Sequence, residues 1–172
     1  MRINFGSGKS RPEGYLCIDA VEHPSAARAL DLVYEAHFAD GKLVEPIPLK
    51  DECADELQSF HVLEHFFRYD VDSLVAEWKR LLKIGGKLVL ELPNLEAACR
   101  NLLAGMSDQM SMWPIYGDWS HGSPYMMHKH GWTPTTIRSL LAFHGFDKIT
   151  LLPPVTHRAR ANRDMRVEAV KA

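Results

Sequence analysis

The sequence predicts an α/β layer fold with a mainly parallel central sheet. Two observations carry this. Short apolar runs alternate with stretches of helical periodicity along the chain, the pattern of strands joined by crossover helices. The first run, "RINF", leads directly into Gly6-Ser7-Gly8, and the second, "YLCIDA", ends on an acid, Asp19. In open α/β sheets, ligands gather beyond such strand ends.

Residues 2–5 and 15–20 supply the first two strands. Between them, "GSGKSRPEG" contains Pro12 and Gly14 and leaves no room for a helix. It falls short of the dozen or more residues that a parallel crossover normally uses, so the connection is read as an extended loop. "ALDLVYEA" (29–36) supplies a third strand, with Asp31 before it and Glu35 at its end. "FADGKLVEPIPLKDECA" reads as a loop with at most one helical turn. "DELQSFHVL" reads as a buried strand entering a loop. Over 70–84, Val71, Leu74, Val75, Trp78, Leu81 and Leu82 recur at three- and four-residue steps. That spacing predicts an amphipathic helix, capped by Asp70 or Asp72 and stopped by Gly85-Gly86.

"KLVLELP" (87–93) fits a strand covered on both faces. "NLEAACRNLLAG" is a short helix, and residues 106–132 are irregular and rich in aromatics. "TPTTIRSLLAFHGF" is a second well-marked helix, with Thr133 as cap, Pro134 in its first turn and Gly145 at its end. "DKITLLP" and "MRVEAVK" close the sheet as a pair of strands.

At 172 residues, with 46% hydrophobic and 24% charged side chains, the chain reads as one globular domain, 1–172. Its 20 basic and 22 acidic residues give a net charge of −2, without the basic excess of a nucleic-acid binder. The basic stretch Arg158, Arg160, Arg163, Arg166 and Lys171 alternates with Asp164 and Glu168 and reads as a solvated face. Cys17, Cys53 and Cys99 show no CxxC spacing; they are read as small buried hydrophobes rather than disulfide or zinc residues. No apolar run approaches the roughly 18 residues of a membrane span, and the first residues lack a signal-peptide apolar region. The expectation is a cytoplasmic, reducing compartment.

Gly6-Ser7-Gly8 lets a ligand approach the backbone, and a carboxylate at the next strand tip can grip both hydroxyls of a ribose. The third glycine of a dinucleotide fingerprint is missing, and no helix N-terminus follows to hold a phosphate, which argues against NAD. With "INFGSG", "GYLCIDA", "DLVYEAH", "PIPLKDECADEL", "FHVLEHF", "AEWKRLLKIGGKLVLELPNLE" and "GWTPTTIRSLLAFHGFDKI", the chain resembles small S-adenosylmethionine-dependent methyltransferases. These are of the Rossmann-like, type-11 kind in which the first helix is reduced to a loop. The resemblance covers nearly the whole chain. It implies a Rossmann-like methyltransferase fold with an antiparallel closing strand, and S-adenosyl-L-methionine as cofactor.

By position, the resemblance implies that Gly6, Ser7 and Gly8 lie along the methionine part of the cofactor. Asp19 lies on the ribose hydroxyls, with Phe5 and Ala20 flanking the two tips. Either Glu35 or Asp51 lies near the adenine amine, and His61 beside the sulfonium. Two other readings stand beside this one: a binding module that keeps the fold but lacks turnover, and a zinc hydrolase.

The zinc reading comes from His61, Glu64 and His65, which have the H-x-x-E-H spacing of inverted zinc proteases. That chemistry needs both histidines on one helical face. Here "LQSF" before and "FFRYD" after place His61 at a strand end, so His61 faces the cofactor, Leu63 packs inward and no metal site is expected. The segment holding Trp119, His121, Tyr125, His128, His130 and Trp132 is read as a substrate-side lid, a cover for the sheet face, or both. A protic acceptor needs a base, for which His61, His65 and His130 are candidates; Glu64, Asn94, Trp119 and His128 are assigned to the substrate side. Asn94 fits a helix cap as well. The substrate is expected to be a small polar molecule. Finally, the missing helix predicts an apolar patch on one sheet face, covered by residues 106–132 or by a second copy of the chain.

Overall fold

The computed structural model describes residues 1–156 and 160–172, apart from the side chain of His121; Arg158 of the basic stretch lies outside the described residues. Nine strands appear: β1 (Arg2–Phe5), β2 (Tyr15–Asp19), β3 (Leu32–Val33), β4 (Phe38–Ala39), β5 (Lys42–Leu43), β6 (Ala54–Phe60), β7 (Leu82–Pro93), β8 (Phe146–Leu152) and β9 (Asp164–Lys171). Four α-helices join them: α1 (Arg68–Leu81), α2 (Leu95–Leu103), α3 (Met112–Tyr116) and α4 (Pro134–Phe143). Seven strands form one sheet in the order β3-β2-β1-β6-β7-β9-β8. Strands β3, β2, β1, β6 and β7 run parallel, and β9 pairs antiparallel with both β7 and β8. The closing pair therefore wedges β9 between β7 and β8.

The two faces of this sheet differ. In-register partners share a face, because side chains alternate along each strand. Ile3 and Leu16, Leu57 and Leu88, Leu90 and Val167 lie on one face. Helix α1 buries Val71, Leu74, Val75, Trp78 and Leu81 there, and α4 buries Ile137, Leu140 and Leu141. Phe5 meets Trp78 edge-on, with ring centroids 5.4 Å apart. Each such aliphatic burial contributes about 1.5–3 kcal/mol.

The opposite face presents Arg2, Asn4, Tyr15, Glu56, Gln58, Lys87, Glu91, Arg166 and Glu168, with Cys17, Phe60 and Val89 among them. Its side chains serve one another. Gln58 Nε2 donates to Asn4 Oδ1 at 3.1 Å, and Asn4 Nδ2 donates to the Ser10 carbonyl. Arg2 lies over the Tyr15 ring, and Arg166 bridges Glu91 and Glu168. The predicted apolar patch is therefore corrected: the face left without a helix is polar, because polar residues occupy alternate positions on its strands.

Several boundaries also move. No helix separates β1 from β2, as the short loop requires. The third strand shrinks to Leu32–Val33, and the loop after it contains an antiparallel β4–β5 hairpin. Helix α1 starts at Arg68 without a side-chain cap, so neither Asp70 nor Asp72 caps it. It ends at Leu81 rather than at the glycines, since Leu82 already pairs with Ala54 of β6. Thr133 and Thr136 form the expected reciprocal cap of α4. Of the cysteines, only Cys17 is buried, and Cys99 is exposed. No helix among the described residues is long and apolar enough to cross a membrane.

Candidate functional site at the strand tips

The tips of β1 and β2 are tied together by the chain that replaces the helix. Gly6 and Ser7 both donate their amides to the Ile18 carbonyl, at 2.9 and 3.1 Å. Gly8 donates its amide to Asp19 Oδ2 at 2.5 Å, while Asp19 Oδ1 accepts from the Ala20 amide at 2.7 Å. The glycine turn and the acid thus lie side by side at the strand tips. Gly6 has φ +69°, and a Cβ there would stand 2.2 Å from Val62 Cγ2; only glycine fits both the conformation and the contact. Gly8, at φ +54°, faces open space. Phe5 contributes only backbone to this edge, since its ring is buried against Trp78 and Tyr34.

One residue of this edge was missed from the sequence. Arg11 buries its whole side chain beneath the turn, donating to Ser7 Oγ at 2.8 Å and to the Gly8 carbonyl. Glu22 stands 3.6 Å away as its counter-charge. The available signal was weak: one of two cations, Lys9 and Arg11, in a nine-residue loop with too little chain to bury either by helix packing.

Glu35 lies two residues past β3, exposed, and accepts from Tyr125 Oη at 3.2 Å. Asp51 precedes β6, at the opposite end of the parallel strands, where Arg80 holds it in an ion pair at 2.5 Å. Of the two acids, only Glu35 reaches the ligand edge.

Strand β6 ends at Phe60, and His61 takes the left-handed conformation, φ +54°, uncommon for any residue but glycine. Its amide donates to the Glu91 carbonyl at 2.7 Å. A single 3-10 turn, Leu63–His65, follows. His61 and His65 therefore share no α-helix, and the zinc-protease arrangement is absent.

The turn instead gathers residues far apart in sequence. Glu64 is 2% exposed. His61 Nδ1 stands 3.4 Å and His128 Nε2 3.9 Å from its Oε1. The His65 and His128 rings meet edge-on at 4.9 Å. Burial alone would raise the Glu64 carboxyl, but the His61, His65 and His128 rings around it outweigh burial and hold it below the ordinary carboxylate range. Burial works against a charged His61, yet Glu64 more than compensates, and its pKa lies above the usual value. Burial pushes His128 down.

The remaining assigned residues sit elsewhere. His130 packs edge-on against Trp132 at 4.6 Å, and burial lowers its pKa, with Arg68 adding to the effect. Trp119 is largely exposed and meets Trp113. The Asn94 oxygen caps α2, accepting from the Glu96 and Ala97 amides. The segment from Tyr125 to Trp132 crosses the strand-tip edge as a strap. Tyr125 reaches Glu35, the Lys129 and His130 amides donate to the Glu64 carbonyl, and the Leu95 amide donates to the Trp132 carbonyl.

A family profile described as a methyltransferase domain matches residues 6–90, which hold the glycine turn, Asp19 and the Glu64 turn. Over that stretch, just under half of its length, the chain is similar to this methyltransferase family. Solved structures share its fold at low identity. An S-adenosylmethionine-dependent methyltransferase of Thermotoga maritima aligns with a TM-score of 0.67 at 15% identity, over 99% of this chain and 82% of its own. One from Archaeoglobus fulgidus gives 0.58 at 15%, over 99% and 85%. One from Methanosarcina mazei gives 0.59 at 13%, over 99% and 91%. No curated protein matches the methyltransferase in sequence. Two features of this chain stand together at the strand tips: a helix-free β1–β2 connection and the Glu64–histidine cluster.

Proposed function

We propose that this methyltransferase binds S-adenosylmethionine across the tips of β1 and β2 and transfers its methyl group to a small polar acceptor. The observation that supports this most is the hydrogen bond from the Gly8 amide to Asp19, which brings turn and acid side by side. The residues fit the cofactor. The Gly8 α-carbon opens to free space, and both Asp19 oxygens are fixed by one amide each while keeping lone pairs for hydroxyls. Glu35 stands at the next strand, toward an adenine amine.

When bound, the cofactor supplies a methyl on a sulfonium, and the C–S bond breaks as the bond to the acceptor forms. The chain's task is to align the acceptor and exclude water. Asp19 and the turn hold the nucleoside, and the 125–132 strap closes over the edge. His61, beside Glu64, is placed to receive a proton from a protic acceptor; His130, packed edge-on against Trp132, is not.

Calorimetric titration with S-adenosylhomocysteine tests the reading. One equivalent should bind, and Asp19→Ala should weaken binding at least about tenfold, about 1.4 kcal/mol, with the circular dichroism unchanged. Absence of binding to the wild-type chain would overturn it. Methyl transfer assayed across small polar acceptors then separates a working enzyme from a fold that binds without turnover.

A further inference from the structure

The Glu64 carboxylate poses a problem that the methyl-transfer reading does not solve. It is buried, and neither oxygen has a hydrogen-bond partner among the described residues. His61 comes within 3.4 Å of Oε1 without making such a bond. A buried anion left this way is costly. Beyond its ion contacts with His61 and His128, its lone pairs are open to a further partner.

The surrounding imidazoles are set up as ligands rather than as donors. His65 Nδ1 lies 3.0 Å from the Met127 carbonyl, and His128 Nδ1 lies 3.0 Å from the Pro114 carbonyl. A carbonyl only accepts, so each Nδ1 carries a hydrogen, and in the neutral ring Nε2 is the nitrogen that offers a lone pair. Fixing the tautomer through the far nitrogen is how proteins orient metal-binding histidines. Glu64, His65 and His128 each offer one ligand atom, and these atoms all lie within 4.8 Å of one another. Ligand atoms about 2 Å from a shared ion stand about 3–4 Å apart, so a small side-chain contraction closes the set.

We propose that Glu64, His65 and His128 form a binding site for a divalent first-row transition metal ion, with His61 supporting the carboxylate from outside. Two imidazoles and a carboxylate suit zinc, manganese or iron(II). Three protein ligands leave open positions. The site adjoins the glycine turn, since Val62, two residues before Glu64, packs on Gly6. Resting on the methyltransferase reading, the ion's open positions select an acceptor with an oxygen ligand, a hydroxyl or vicinal diol. Such an oxygen loses its proton more readily when bound to a metal. The H-x-x-E-H stretch thus supplies two ligands to a site whose third comes from residue 128, not from His61.

The experiment uses untagged full-length protein, stripped with a chelator and titrated with Co2+, Zn2+ and Mn2+ by calorimetry. One saturable equivalent per chain is expected, with visible d–d absorption for Co2+ that Zn2+ displaces. Glu64→Gln, His65→Gln and His128→Gln should each weaken binding at least tenfold, whereas His37→Gln, on the exposed surface and outside the cluster, should not. Failure of the wild-type chain to bind one equivalent, or binding that survives Glu64→Gln and His128→Gln, overturns the site. The wild-type Co2+ spectrum decides the matter even if a variant misfolds. S-adenosylhomocysteine titrated in parallel separates the two ideas. Nucleoside binding without metal binding sinks the metal site alone; metal binding without nucleoside binding sinks the methyltransferase reading and the oxygen acceptor, and leaves the ion.

Discussion

Strands β1–β3 and strands β6–β9 belong to one sheet but are held by different means. Around β6 and β7, α1 and α4 bury Trp78, Leu74 and Leu141 against Leu57, Leu88 and Val167. At the β1–β3 end, the connections are loops, and polar side chains clamp them: Arg11 under the glycine turn, Asp19 on Gly8, and Arg28 with Asp31, whose Oδ2 accepts from the Cys17 amide at 2.8 Å. Apolar burial is non-directional and tolerant; hydrogen bonds are few and directional. One end therefore carries stability, and the other carries the position of the proposed cofactor site.

The sharpest test of that contrast is Trp78→Ala, which empties a fully buried position. It should cost about 3–5 kcal/mol, read from urea unfolding, and lower nucleoside affinity only through loss of folded protein. Arg11→Ala should cost less, about 2–3 kcal/mol, because it strands the Ser7 hydroxyl and the Gly8 carbonyl. Its nucleoside affinity should fall disproportionately, since the turn loses its underside. If Arg11→Ala destabilised more than Trp78→Ala, the division of labour would be wrong.

The smallest effect concerns the polar face. Glu91 accepts from the Val155 and Thr156 amides, the Thr156 hydroxyl and Arg166. Burial opposes its charge, but these donors outweigh burial and hold its pKa below the ordinary value. A depressed folded pKa means that the contribution is complete above the unfolded value, about 4.3, and disappears as pH falls through the folded one. Glu91→Gln should cost about 1–2 kcal/mol at neutral pH, and the gap from wild type should shrink below pH ~4. A gap that widens on acidification would refute the assignment.

The legible parts of this molecule were those governed by local pattern. The 3.6-residue spacing from Val71 to Leu81, the Thr133-Pro134 start and the apolar runs of β1, β2, β6 and β7 all declare themselves over a few residues. The hairpin at 38–43 was misread as loop because its strands hold two residues each, although Asp40-Gly41 is the turn signal. Helix α1 ended early because the Leu82–Ala54 pairing, a long-range contact, outweighed the local stop signal. The polar sheet face was visible in the alternation of Arg2 with Asn4 and Glu56 with Gln58, and was overlooked by counting helices instead of faces. For the site, His61, Glu64, His65 and His128 could be named singly. Their meeting could not, because 63 residues separate His65 from His128 and only the path of the strap brings them together.

That strap has a kinetic corollary. It is fastened to the β3 side through Tyr125 and to the Glu64 turn through the amides of Lys129 and His130. The three residues between Tyr125 and Lys129 make four steps of chain, about 14 Å at full stretch, too little slack for either to release far while the other stays shut. In the proposed function, nucleoside departure and acceptor entry then draw on a single opening event, and that event sets a common clock for both.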